Sequence, residues 1–180
     1  MPRSKRLNQG FVQVYTGDGK GKTTAALGQA FRAVGHNLKV FMILFMKGNV
    51  EYGELETARR LAPFMEIREM GRETFVSKEN PEQIDIKWAE DALQLAKKIV
   101  SSDDYDMVIL DEINVALDYG LIPIEEVLEL IKTKPAKVEL ILTGKDVPEE
   151  IKKVADLVTD MKSVKHYLEA GIQARVGIER

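Results

Sequence analysis

A glycine-rich stretch with lysines and threonines carries the clearest chemistry in the sequence, Thr16-Gly-Asp-Gly-Lys-Gly-Lys-Thr-Thr24. Glycines let the backbone curl so that several N–H groups face phosphate oxygens, and a following helix adds its positive N-terminal end. Lys22 adds a charge for the phosphates, and Thr23 offers a hydroxyl to a magnesium ion, as in G-x-x-x-x-G-K-[ST] with Thr16 at the first glycine. The predicted nucleotide-binding residues are Gly17, Asp18, Gly19, Lys20, Gly21, Lys22, Thr23 and Thr24.

Two carboxylates supply the second half of the predicted site. Asp111 and Glu112 follow the short apolar segment Met107–Leu110. Carboxylates at the end of a strand can hold Mg²⁺ directly or through water, although acidic residues are common at strand ends in general. Combined with the glycine-rich loop, they predict a Mg²⁺-nucleotide site in which Thr23, Glu112 and Asp111 are the metal candidates.

The type of reaction is less determined by the residues alone. A GTPase would need Asn-Lys-x-Asp to read guanine, and Thr143-Gly-Lys-Asp146 does not match because Lys145 adjoins Asp146. Two interpretations of Lys145 remain, an ordinary strand-end lysine, which is favoured, and a nucleotide contact. Since no Ser-His-Asp or paired-carboxylate arrangement is evident, the chemistry favours positioning and stabilisation of a leaving group over a protein nucleophile.

Apolar periodicity predicts the elements that position these residues. Strand-like and helix-like segments alternate from residue 10 to about 162, which indicates an α/β domain with a mainly parallel sheet and helices on both faces. Together with the glycine-rich loop, this predicts a P-loop NTPase-like fold. The predicted strands are Phe11–Tyr15, Leu38–Met46, Met65–Met70, Met107–Leu110, Val138–Leu142 and Leu157–Met161. Helices are expected after the glycine-rich loop, over Glu54–Leu61, after Asn80, after Pro123 and over Pro148–Ala155.

One helix has the clearest predicted start. Asn80 can cap it, Pro81 suits its first position, and Gln83 can complete a capping box. Its apolar face is expected to be Trp88, Ala92, Leu95, Ala96 and Ile99, with Trp88 as a core anchor.

The domain boundaries follow from the same alternation. Residues 1–9 are expected to form a short, basic, flexible N-terminal arm, and residues 10–180 a single P-loop α/β domain. The last segment, residues 162–180, is expected to be a C-terminal extension, either a surface loop or a short arm.

Composition excludes several other classes of protein. The 180 residues contain no cysteine and two histidines, which rules out disulfides, iron–sulfur clusters, Cys-bound zinc and a multi-histidine metal centre. A net charge of -3 argues against a general nucleic-acid binder. The longest apolar run, Val40–Met46, is far short of the ~20 residues that cross a bilayer. A cytoplasmic protein without a nucleic-acid or membrane partner is expected.

An ordered set of motifs resembles the corrinoid adenosyltransferase family, the ATP:cob(I)alamin enzymes of the P-loop type. The resemblance runs from about residue 11 to 179, which makes it more specific than the phosphate loop alone. The matching segments are Thr16–Gly28, Arg32–His36, Phe45–Gly48, Val108–Glu112, Val164–His166, Ala170-Gly171 and Gly177–Glu179.

The resemblance implies an enzyme that transfers the 5′-deoxyadenosyl group of ATP to the cobalt of a reduced corrinoid and releases triphosphate. It implies that Lys22, Thr23 and Glu112 are catalytic, and that Thr23 and Glu112 ligate Mg²⁺ with Asp111 in support. Lys20 and the backbone N–H groups of Gly19, Gly21 and Lys22 would also bind phosphate oxygens. ATP and cob(I)alamin or a related corrinoid would be the substrates. A separate electron donor such as a flavoprotein and a homodimer are also implied.

One segment departs from the family pattern. The family's Gly-Phe-Thr-Trp segment, which lies over the corrinoid, corresponds here to Gly71-Arg-Glu-Thr-Phe75, where Phe75 is the one ring. Phe75 could contact the corrin or pack on its own domain. The alternatives to the transferase are a P-loop ATPase or phosphotransferase that releases ADP, and a non-catalytic nucleotide or corrinoid carrier.

Overall fold

A computed structural model describes residues 7–48 and 52–179 of the chain. Within these ranges six parallel strands form one sheet in the order β3-β2-β4-β5-β1-β6. The strands are β1 (Val12–Thr16), β2 (Val40–Phe45), β3 (Met65–Met70), β4 (Met107–Asp111), β5 (Glu139–Thr143) and β6 (Leu157–Asp160). All six predicted strands are therefore present, with ends shifted by one or two residues at most.

Helices connect the strands, and a short 3₁₀ helix follows the sheet at Tyr167–Ala170. The helices are α1 (Lys22–Gly35), α2 (Gly53–Arg60), α3 (Gln83–Ser101), α4 (Ile113–Asp118), α5 (Ile124–Thr133) and α6 (Glu149–Val154). The sequence did not predict α4, because its six residues directly follow a strand and are too few for helical periodicity to be visible.

The central strand β2 shows why the sheet is covered on both faces. Its side chains alternate: Val40, Met42 and Leu44 pack with α1 and α2, whereas Phe41 and Phe45 belong to the cluster on the other face. The second cluster is formed with α3, α4, α5 and α6. Both faces are thus buried, as the continuous apolar run predicted, and the predicted α/β fold is confirmed.

The start and buried face of α3 differ from the sequence-based prediction. Glu82, not Asn80, is the N-cap, and its capping-box partner is Asp85, not Gln83. The carboxylate of Asp85 is buried, and the two hydrogen bonds that it accepts from Arg72 at 2.8 Å offset the cost of that burial. The apolar residues that α3 buries are Ala89, Ala92, Leu93, Ala96 and Val100, and Trp88 lies half-buried beside them. The prediction of Trp88 as a core anchor was wrong.

Both ends of the chain were predicted to lie outside the sheet. Residues 1–6 of the predicted N-terminal arm lie outside the described residues, and residues 7–9 precede β1. The C-terminal extension is described over residues 162–179, and it lies with Met161 against the loop that follows β1, where the Gly19 N–H donates to the Met161 carbonyl at 2.7 Å. No helix in the described part of the chain is long and apolar enough to cross a membrane.

Candidate active site

The carboxyl ends of β1, β4 and β2 bring the chemically important residues together. The glycine-rich loop joins β1 to α1, Asp111 is the last residue of β4, and Lys47 follows β2. Because β2 and β5 flank β4 on its two sides, their C-terminal residues lie beside Asp111. In open α/β sheets this edge is where ligands bind.

The glycine-rich loop is built around Lys22. Its ammonium donates to the carbonyls of Gly17 at 2.7 Å and Gly19 at 2.8 Å, which closes the loop on itself. Burial lowers the pKa of Lys22, and the negative charges of Glu112 and Asp18 oppose that shift. Lys22 is thus a cation that the loop holds at the N-terminus of α1.

Three residues of the predicted phosphate loop turn toward the C-terminal extension. Gly17 has a φ of 99°, and a Cβ there would lie 2.4 Å from the Met161 carbonyl. The Gly19 N–H is taken by Met161, as described above. The Asp18 carboxylate accepts from the Ser163 N–H at 3.0 Å, and this backbone hydrogen bond is the main cause of its lowered pKa. Gly17, Asp18 and Gly19 therefore connect the phosphate loop to the C-terminal extension and do not line the cleft described next.

The other predicted residues face a cleft of about 780 Å³, here called the phosphate pocket. Its phosphate-loop lining is Lys20, Gly21, Lys22, Thr23 and Thr24, and Glu112 also lines it. Its wall continues with Leu27, Gly28 and Phe31 of α1, Thr57 of α2, and Leu61, which directly follows α2. The Lys20 ammonium lies 3.7 Å from the Glu179 carboxylate of the C-terminal extension.

Asp111 is the centre of a buried polar network. Its Oδ1 accepts from the hydroxyls of Thr23 at 2.8 Å and Thr143 at 2.6 Å. Its Oδ2 accepts from the Lys47 ammonium at 2.7 Å. The Asp111 side chain is fully buried, so all three donors are needed to offset the loss of water around its charge. Asp111 orients Thr23 rather than offering a free oxygen.

Glu112 is the carboxylate that remains available. It is the N-cap residue of α4 and has left-handed backbone dihedral angles, φ 62° and ψ 16°. Its Oε1 lies 4.0 Å from the Lys47 ammonium. Burial, and then the charge of Asp111, raises the pKa of Glu112, while Lys47 and Lys22 lower it. Left-handed geometry is costly for a residue with a Cβ, and such strain is frequent at functional sites.

Lys47 is a site residue to which the sequence analysis gave no role, although it lies in the matching segment Phe45–Gly48. Burial would lower its pKa, but the charge of Asp111 and then of Glu112 outweighs burial and raises the pKa of Lys47 well above its ordinary value. Its ammonium also lies 5.5 Å from the centre of the Tyr52 ring. The signal available in the sequence was position, because Lys47 follows the strand that neighbours β4.

A second cavity of about 460 Å³, here called the apolar pocket, adjoins the first. Its lining includes Met46, Tyr52, Val76, Val115 and Tyr119, together with Lys22 and Glu112. Phe75 lies on its rim with a fully exposed ring, so it does not pack on its own domain. Lys22 and Glu112 line both pockets, which places these two residues at the junction.

The loop at the rim of the apolar pocket is fixed at both ends. Arg72 donates to both oxygens of Asp85 at 2.8 Å and also binds Glu82. Lys78 donates to Asp118 at 2.6 Å and 2.8 Å. Arg72, which follows Gly71, thus lines the apolar pocket while its guanidinium is held by Asp85 and Glu82 at the start of α3.

The donor set fits a magnesium ion bound with phosphate. No group of three or more His, Cys, Asp and Glu side chains in the described ranges could hold a metal by protein ligands alone. Mg²⁺ is usually held by one or two protein oxygens and substrate phosphates, and it favours hard oxygen ligands. The Thr23 hydroxyl and the Glu112 carboxylate offer that arrangement beside Lys22.

Comparison with solved structures identifies the fold. The chain superposes on a KaiC-like protein from Pyrococcus horikoshii with a TM-score of 0.52, at 16% identity and over 86% of this chain and 74% of that one. Together with the parallel sheet and the phosphate loop, this makes the fold P-loop NTPase-like.

Comparison with known sequences identifies the family. The family model described as ATP:corrinoid adenosyltransferase BtuR/CobO/CobP matches residues 8–180. A corrinoid adenosyltransferase from Pseudomonas aeruginosa is 37% identical over 97% of this chain and 85% of its own length. One from Escherichia coli K12 is 34% identical over 95% and 86%, and one from a Sinorhizobium species 36% identical over 98% and 83%. The chain belongs to the ATP:corrinoid adenosyltransferase family.

Proposed function

We propose that this protein transfers the 5′-deoxyadenosyl group of ATP to the cobalt of a reduced corrinoid and releases triphosphate. The observation that carries the proposal beyond family membership is the junction of the two pockets at Lys22 and Glu112. One pocket has the residues of a phosphate site, and the other has an apolar wall suited to a large conjugated co-substrate. Two substrates bound in this way would meet at the residues that carry the charge.

The reaction needs stabilisation of the leaving group more than a protein nucleophile. The electron pair of Co(I) forms the bond to C5′ of ATP, the C5′–O bond breaks, and triphosphate departs with that electron pair. Cobalt is thereby oxidised by two electrons to Co(III). Cations and N–H groups directed at the phosphates stabilise the developing charge, and this is the role proposed for Lys22, Lys20 and the N–H groups of Gly21 and Lys22.

Mg²⁺ is proposed to bind between the phosphates and the protein, held by Thr23 and Glu112. When bound, it would neutralise part of the charge on the triphosphate. Asp111 supports this arrangement because its Oδ1 accepts the Thr23 proton at 2.8 Å, which turns a lone pair of that hydroxyl outward. Lys47 forms an ion pair with the buried Asp111 carboxylate at 2.7 Å.

Two partners are proposed, an electron donor and a second copy of the chain. The chain has no cysteine, so Co(I) would be produced by a separate electron donor such as a flavoprotein. A homodimer is favoured by apolar side chains exposed on the edge strand β6 and on the C-terminal extension, among them Leu157, Val164, Leu168 and Val176. Light scattering of the purified protein measures the oligomeric state directly.

An anaerobic assay with Mg-ATP and chemically reduced cob(I)alamin tests the function. Adenosylcobalamin is followed by its spectrum, and phosphate products are separated by chromatography. We expect adenosylcobalamin and triphosphate in equal amounts, and loss of transfer by about 10²-fold or more in Lys22→Ala. Lys137→Ala is the matched control, because Lys137 is exposed at the opposite end of the sheet. ADP without a corrinoid product would instead make the protein an ATPase or phosphotransferase.

A further inference from the structure

Lys145 lies in the turn that follows β5, and hydrogen bonds of the last β5 residue connect this turn to the end of β4. The last residue of β5, Thr143, donates its hydroxyl proton to Asp111 at 2.6 Å. The same hydroxyl oxygen accepts from the Glu112 N–H at 3.0 Å. Because Thr143 is fully buried, these bonds fix the start of the turn relative to the candidate metal ligand.

The next residue, Gly144, fixes the direction of the turn. Its φ is 122°, and a Cβ at this position would lie 3.1 Å from side-chain atoms of Asn114 and Val115. The Asn114 amide donates to the Gly144 carbonyl at 3.1 Å. Asn114 is fully buried, and its Oδ1 has no hydrogen-bond partner within the described ranges. The fold therefore retains a costly buried amide for one bond, and that bond holds the turn.

Asp146 completes the turn with a second left-handed conformation, φ 55°. Lys145 is thus placed between two residues with positive φ, on a turn anchored to α4 and β4. A surface lysine at an ordinary strand end needs no such support. This geometry is what the sequence-based interpretation of Lys145 as an ordinary strand-end lysine did not take into account.

The charges around the apolar pocket single out Lys145. Four of its lining residues are cations: Lys22, Lys47, Arg72 and Lys145. Lys47 is paired with Asp111, Arg72 is paired with Asp85 and Glu82, and Lys22 donates to two loop carbonyls. Of the four, Lys145 has no hydrogen bond or ion pair to any residue in the described part of the chain.

The position of this free charge indicates its ligand. Lys145 and Lys22 line the same pocket, and although burial is the main cause of the lowered pKa of Lys22, the charge of Lys145 adds to it. Glu112 lines the same pocket, but its one negative charge is shared among Lys47, Lys22 and Lys145, so positive charge is in excess there. A polyphosphate bound near Lys22 and Lys145 would reduce the repulsion between these cations, whereas a neutral group would not.

We propose that Lys145 binds the polyphosphate of the nucleotide from the side of the apolar pocket and stays on the triphosphate as it leaves. This inference rests on the proposed function, since triphosphate is the product of that reaction. It adds a cation to the leaving-group site from the apolar pocket, which Lys145 lines together with Lys22. Asn114 and Gly144 are the positioning residues of that cation.

Calorimetric titration with inorganic triphosphate and Mg²⁺ tests the proposal without any corrinoid. Lys145→Ala should weaken triphosphate binding by about 10-fold or more, the effect of losing one charged hydrogen bond. Lys145→Arg should restore most of the affinity, and adenosine should bind the Ala variant as it binds the wild type. Lys137→Ala, on the turn before the same strand, should bind triphosphate like the wild type.

Three results would overturn the proposal. Wild-type affinity for triphosphate in Lys145→Ala removes it directly. An increased corrinoid KM with unchanged triphosphate affinity would make Lys145 a corrinoid contact instead. Equal loss in the Ala and Arg variants, with a lowered midpoint of thermal unfolding, would show a structural role. Failure of the proposed function is distinct, because it would be seen as wild-type protein that forms no adenosylcobalamin.

Discussion

At the scale of single residues, the site depends on how one buried carboxylate is compensated. Asp111 has no exposed side-chain surface, and its two oxygens accept hydrogen bonds from Thr23, Thr143 and Lys47. A strand-end aspartate beside a phosphate loop was predictable from the sequence. Thr143 and Lys47 were not, because they come from two other strands and no local pattern records which strands are neighbours.

Replacement of Lys47 by Met should leave Asp111 buried without its counter-charge. We expect the free energy of unfolding to fall by about 3 kcal/mol, the usual cost of removing one partner of a buried ion pair. Urea denaturation of Lys47→Met and Lys47→Arg measures this, with Arg expected to recover part of the loss. Equal stability of Lys47→Met and the wild type would show that Thr23 and Thr143 suffice for Asp111.

At the scale of elements, the phosphate loop is supported from outside by the C-terminal extension. Gly17, Asp18 and Gly19 contact residues 160–163, and Lys20 lies 3.7 Å from Glu179. The extension is itself held by Glu179, which accepts from the Arg175 N–H at 2.8 Å and from the Tyr167 hydroxyl. The sequence indicated a segment beyond the last strand, but pairing between residues this far apart was not visible in it.

Substitution of Glu179 by Gln should loosen the extension. Hydrogen bonds from Arg175 and Tyr167 lower the pKa of Glu179 to about 2, so the carboxylate contributes fully above about pH 4.5 and the contribution is lost as the pH falls toward 2. At neutral pH we expect faster tryptic cleavage after Arg175 and Lys165 in Glu179→Gln. Glu169→Gln, an exposed control on the same segment, should be cleaved at the wild-type rate.

At the scale of the whole molecule, the fold was more predictable than the site. Strand β2 shows the reason: a continuous apolar run of strand length is typical of an interior parallel strand that is covered on both faces. The two pockets are different, because their shared residues Lys22 and Glu112 come from segments 90 residues apart. Only the sheet order makes those segments neighbours, and the sheet order results from packing of the entire chain.

Binding of Mg-ATP should therefore stabilise the entire domain. At a ligand concentration of about 100 times Kd the gain is about 2.7 kcal/mol, or an increase in Tm of about 5–10 °C for a domain of this size. Scanning calorimetry with ATP in Mg²⁺ or in EDTA measures the share that needs the metal. Glu112→Gln should lose most of that share, and retention of it would assign the metal to Asp111.

The left-handed backbone of Glu112 sets activity against stability. For a residue with a Cβ this conformation is about 1 kcal/mol less favourable in free energy, whereas for glycine the steric penalty is almost absent. Glu112→Gly should therefore unfold at a higher urea concentration than the wild type while losing adenosyl transfer, whereas Glu112→Gln keeps the backbone cost. A selection for thermal resistance alone would favour replacement of this glutamate, so directed evolution of this enzyme must screen for turnover at every round.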